Sequence, residues 1–152
     1  MLKWFCGLGM LVLVSCAGPR PTLNVKWFRL RDAGPNVGGG NEMVRAAELK
    51  RFYGAVTMEE REQRLGDYYT VSWSGPAGQE AQSVRVVFEY RQAATGAKVL
   101  KMEEERPGTA RGQVEFTVTG ETFQEGGRVL AWRIRLYRGG ELVDTERSYL
   151  WN

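Results

Sequence analysis

From Asp67 onward the apolar side chains recur at every second position, and that period limits the fold class more than any other feature of the chain. Tyr69, Val71 and Trp73 alternate with Thr70 and Ser72. Val84, Val86, Phe88 and Tyr90 share one face, with Arg85, Glu89 and Arg91 on the other. Val114, Phe116 and Val118 alternate with Glu115, Thr117 and Thr119; Leu130, Trp132, Ile134 and Leu136 alternate with Ala131, Arg133, Arg135 and Tyr137. A strand sends successive side chains to opposite faces, so each run offers one face to a core and one to solvent. Lys98 to Glu105, after the turn-forming Ala94-Thr95-Gly96, and Glu141 to Trp151, after Arg138-Gly139-Gly140, read as two further strands. Leu23 to Leu30 (LNVKWFRL) is rich in β-formers and supplies a first one. Seven strands, each with a polar face, favour antiparallel sheets packed on each other over a parallel sheet clad in helices.

Strand number, strand length and turn spacing resemble an immunoglobulin-like or fibronectin type III-like β-sandwich. Antibody domains bridge their sheets with a disulfide; this chain has no cysteine after Cys16, so the resemblance is to the disulfide-free members. The expected class is mainly β: an immunoglobulin-like antiparallel β-sandwich of about seven strands over 23–152. A short helical insertion is expected at about 32–66, in three parts. Asp32 to Asn41 (DAGPNVGGGN) reads as loop, and the phosphate cradle its glycines suggest lacks the lysine such a cradle needs. Met43 to Tyr53 reads as a helix with Ala46, Leu49 and Phe52 on one face. Thr57-Met58-Glu59-Glu60 has the capping-box pattern for a second helix, Met58 to Leu65, with Gly66 as its stop. The runs RLGDYYTVSW, VRVVFEYRQAATGAKVL, VLAWRIRLYRGG and RSYLW are similar to a recurring type of small exported bacterial protein, which implies the domain and no activity. Trp151, beside the last residue, is expected to tie the end of the chain into the sheet.

The first residues read as an address. Met1-Leu2-Lys3, then the apolar run Trp4 to Val14, then a small residue, is the pattern of a secretory signal. Such a run rises only ~16 Å as a helix, against the ~30 Å a membrane span must cross. Leu13-Val14-Ser15-Cys16 resembles the bacterial lipobox. That resemblance implies a diacylglyceryl group on the Cys16 thiol and removal of residues 1–15, Cys6 among them. It leaves 16–22 as a tether below the domain. Two or three acyl chains hold a protein on a membrane where one does so only marginally. Ala17 stands where retained lipoproteins place Asp, which favours the outer membrane in a host that has one. No thiol then remains for a disulfide, and stability must come from the core.

The chain has no histidine, which with the missing cysteines excludes most zinc sites and His- or Cys-based nucleophilic chemistry. Without Lys3 it carries 20 basic and 18 acidic side chains, so nothing calls for nucleic acid. Glu103, Glu104 and Glu105 alternate between faces of a strand and do not converge on a calcium ion. No cofactor is expected. Arg85, Arg91, Arg133 and Arg135 project opposite the apolar faces and, with Tyr137, form the candidate interaction surface. The ordinary reading of such a surface is ion pairing with Glu89, Asp144 and Glu146. Its functional reading is an anionic partner: lipid headgroups, cell-wall polymer or an acidic protein patch. Trp73 and Trp132 belong to the core by alternation, leaving Tyr137 and one of Tyr68 and Tyr69 as outward aromatics. The expected function is a membrane-anchored, non-catalytic interaction or structural module of the cell envelope, or an accessory subunit of a larger envelope assembly. The alternative is a cell-wall or glycan-binding module; a carboxylate-dependent hydrolase is the weakest reading, because Asp is scarce and a sandwich has no deep cleft. Without histidine, stability is expected to be nearly flat between about pH 6 and 8.

Overall fold

Each alternating run forms a strand. The computed structural model describes residues 22–31, 42–75 and 82–152. The signal segment 1–15, Cys16 and the loop Asp32 to Asn41 lie outside the described residues. In chain order the elements are β1 (Leu23–Leu30), α1 (Glu42–Phe52), α2 (Met58–Glu62), β2 (Gly66–Ser74), β3 (Val84–Gln92), β4 (Leu100–Arg106), β5 (Arg111–Thr119), α3 (Gly120–Gly126), β6 (Val129–Arg138) and β7 (Glu141–Arg147). They pair antiparallel in two sheets, ordered β1-β2-β5 and β4-β3-β6-β7. The result is an immunoglobulin-like β-sandwich with a helical insertion between its first two strands. The fourth strand pairs with the third instead of with the fifth, so the sheets hold three and four strands.

The core fills the space between the sheets. Tyr69, Val71 and Trp73 of β2 and Val114, Phe116 and Val118 of β5 meet Val84, Val86, Phe88 and Tyr90 of β3 and Ile134 and Leu136 of β6. Phe88 sits at its centre, with ring centroids of Tyr69, Tyr90 and Phe116 at 4.6, 4.9 and 5.4 Å. Gly112 is required beside it: a Cβ there would lie 2.2 Å from the Trp73 indole. Gly139 and Gly140, at φ +53° and +90°, make the tight β6–β7 turn that only residues tolerating positive φ allow.

Leu130 does not face the core. The β3–β6 pairing shifts between Arg91 and Gln92, so that Gln92 opposes Val129 while Arg91 opposes Ala131. Leu130 is the extra residue of this bulge and is exposed, while Val129 takes the buried place. β7 ends at Arg147, yet Trp151 is buried: Ser148 donates its amide to the Trp132 carbonyl and the tail folds back across the sheet. The capping box forms as read, with Glu60 N–H donating to Thr57 Oγ1 at 3.1 Å and Thr57 N–H to Glu60 Oε2 at 3.0 Å. The helix it starts stops at Glu62, and Gly66 serves the following strand instead. On α1, Ala46 and Leu49 face away from the sheet, while Arg51 packs over the rings of Phe28 and Tyr68 and bonds Glu115 at 2.8 Å. An ionic and cation–π contact, rather than an apolar stripe, seats that helix. The helix α3 has no signature in the sequence. Its GETFQEG has no helical apolar period; it is held by the buried Gln92, whose Nε2 donates to Thr122 O and Gly127 O.

Candidate functional site

Strands β3 and β6 are neighbours, so the alternation that aims their apolar residues inward brings their arginines onto one outer face. Arg85 stands opposite Tyr137, Val87 opposite Arg135 and Glu89 opposite Arg133. The flanking strands add Lys101, Glu103 and Glu105 on one side and Arg147 on the other. Glu89 bridges two guanidiniums, Arg133 at 2.7 Å and Arg135 at 2.8 Å. Arg85 reaches Glu103 at 3.6 Å, and Lys101 also pairs with Glu103. The Lys101 ammonium, more than the Arg85 guanidinium, holds the Glu103 carboxyl below its ordinary range. Tyr137 lies between Arg85 and Arg135, whose guanidinium carbons are 4.5 and 5.8 Å from its ring centre. Trp151 lies over Arg91 and Arg133 at 4.9 and 5.0 Å. Six cations therefore share this face with three carboxylates, and its net charge stays positive after internal pairing.

Asp144 and Glu146 do not join this array, contrary to the reading from sequence. They oppose the inward-facing Leu136 and Ile134, and so turn toward β1. Asp144 Oδ2 accepts the Leu23 amide at 3.1 Å, and Glu146 is bonded by the Val25 amide. Inward carboxylates on an edge strand also discourage pairing with another chain. Burial, reinforced by Asp144 and opposed by the Val25 amide, pushes the Glu146 carboxyl above the ordinary carboxylate range. The folded form thus binds this proton more tightly than the unfolded chain does. The stability contributed by the protonated carboxyl is present below the unfolded pKa and is lost as pH rises through the folded one. Glu146→Gln should accordingly gain in urea midpoint relative to the wild type as pH climbs from about 4 to 7. A difference that is constant across that range would contradict the assignment.

The outward tyrosine of the first sheet is Tyr68, but α1 covers it, and its hydroxyl donates to the Arg64 carbonyl at 2.6 Å. Burial pushes its phenol above the ordinary range, and the Tyr69 phenol, deep in the core, further still.

A second constellation was not visible in the sequence. Asp67 is fully buried near the start of β2 and accepts four hydrogen bonds. Arg29 donates to it through Nε at 2.7 Å and Nη2 at 3.1 Å, the Trp27 indole at 3.2 Å and the Val129 amide at 2.9 Å. In antibody domains a disulfide ties the second strand to the sixth across the sheets. Here Asp67 and Val129 make that link by a charge-assisted hydrogen bond. Beside it the two sheets part at a lateral cleft of about 290 Å³, with Trp27 and Arg29 on one wall, Arg128, Leu130, Trp132 and Leu150 on the other, and Tyr69 at its floor. The only sequence signal for it is the alternation that puts Trp27 and Arg29 on the same face of β1.

No family model, curated protein or solved structure matches the chain. The described residues include no group of three or more His, Cys, Asp or Glu placed to hold a metal ion. Among them no helix is long and apolar enough to cross a membrane.

Proposed function

We propose that the protein is a non-catalytic binding module of the bacterial cell envelope, held at a membrane by a lipid on Cys16, that docks an acidic protein surface through the outer face of its four-stranded sheet. The observation that carries this reading is the excess of cations over carboxylates on that face, arrayed around Tyr137 and Trp151. Arginine and aromatic side chains are the usual anchors of protein interfaces, and a residual field of one sign speeds encounter with a partner of the other. Glu89 and the tail hold the central guanidiniums in fixed positions, which lowers the entropy lost on docking. The absence of His throughout, and of Cys after position 16, supports a role without His- or Cys-based nucleophilic chemistry and without the usual zinc ligands.

Two measurements test the two halves of the proposal. Fatty-acid label should enter the wild type and be absent from Cys16→Ala; label retained by that variant overturns the anchor. A partner captured from detergent-solubilised membranes should be recovered about tenfold less by Arg85→Glu/Arg147→Glu, both exchanges lying at the rim of the array. Equal recovery by that variant overturns the docking face.

A further inference from the structure

The geometry points to the lateral cleft between Trp27 and Trp132 as a binding site for a single carboxylate-bearing sugar ring of a glycan chain, separate from the charged sheet face. Trp27 is 51% exposed, yet its indole is not free to turn, because Nε1 donates to the buried Asp67. A half-exposed indole fixed by its own hydrogen bond is a pre-set stacking surface, so little side-chain entropy is lost when the apolar face of a sugar lies on it. Leu130, pushed outward by the bulge, and Leu150 of the returning tail extend the apolar wall opposite.

The charge in the cleft decides the class of sugar. Asp67 spends its four lone-pair positions on groups already present, so it offers no acceptor to a ligand. Arg29 uses only two of its five N–H donors on Asp67. Arg128 is exposed and, among the described residues, makes no ion pair. The side chains of the cleft therefore offer guanidinium donors and no free carboxylate, and carry one positive charge without an ion-pair partner. A neutral sugar would gain the stacking alone; a carboxylated one adds a charge-assisted hydrogen bond to a guanidinium. The volume suits one ring, at the small end of ligand sites, and the open sides let a chain run past.

The test uses the full chain and two probes of equal length, a galacturonic acid tetramer and a neutral galactose tetramer, titrated by calorimetry and tryptophan fluorescence. The acidic tetramer should bind with saturation and at least about tenfold more tightly than the neutral one. Arg128→Glu, an exposed exchange that leaves the Asp67 network intact, should abolish that preference. Trp27→Ala should remove binding of both, and Trp27→Phe, which keeps a ring, should restore part of it. Arg85→Glu/Arg147→Glu should bind as the wild type does, since those residues belong to the other face. No saturable binding up to about 10 mM, equal affinity for the two tetramers, or binding indifferent to Arg128→Glu would each overturn the inference.

Discussion

Asp67→Ala is expected to lower the unfolding free energy by about 3–5 kcal/mol, read as a shift of the urea midpoint at unchanged slope. The magnitude follows from what the substitution leaves behind. The Arg29 side chain, only 13% exposed, loses its carboxylate, and the Val129 amide and Trp27 indole lose their acceptor. An unpaired buried charge costs more than the pair contributed, so the loss should be largest when one partner alone is removed. Asp67→Ala/Arg29→Leu should then be more stable than Asp67→Ala by itself, which a double-mutant cycle measures directly. Additive losses would mean that Arg29 finds other partners or water once Asp67 is gone. Asp67→Asn should fall between, since it keeps the shape and part of the accepting capacity but not the charge. As Asp67 also anchors the Trp27 indole, the same variants should loosen the cleft wall while the sheet face stays as it was.

That network shows where a sequence stops being readable. Strand positions were legible because alternation is local: β1 runs from Leu23 to Leu30 as its β-formers indicate, and the core faces of β2, β3 and β5 follow their apolar residues. The gathering of Arg85, Arg91, Arg133, Arg135 and Tyr137 on one face follows from the same period once β3 and β6 are paired. What was not legible depends on contacts far apart in the chain. Asp67 meets Arg29 across 38 residues and Val129 across 62, and no spacing rule connects them. Leu130 continues a flawless alternation in the sequence, yet a bulge set by pairing with β3 turns it out. Asp144 and Glu146 look like surface charges, but edge-strand geometry turns them toward the amides of β1. Those two carboxylates therefore departed from their surface reading because backbone amides of a distant strand satisfy them at the sheet edge.

Phe88→Ala should destabilise the domain by a similar amount, about 3–5 kcal/mol, for an unrelated reason. Phe88 has no exposed surface and its ring meets Tyr69 of β2, Tyr90 of its own strand and Phe116 of β5, so it joins both sheets. Its backbone neighbours, Met102 on β4 and Ile134 on β6, place it in the middle of the four-stranded sheet. Truncation removes the transfer free energy of the ring and opens a cavity whose walls are aromatic and held by strands on both sides. Phe88→Leu keeps most of the volume and should cost less than half as much, roughly 1–2 kcal/mol. The pair separates the two readings of the core: comparable losses for Ala and Leu would mean that ring geometry matters more than filled volume. Typical domains are stable by only about 5–15 kcal/mol, and no disulfide after Cys16 restrains the unfolded chain here. Truncating this one ring should therefore consume a large share of the margin, seen as a fall in the thermal midpoint on the order of 10 °C or more.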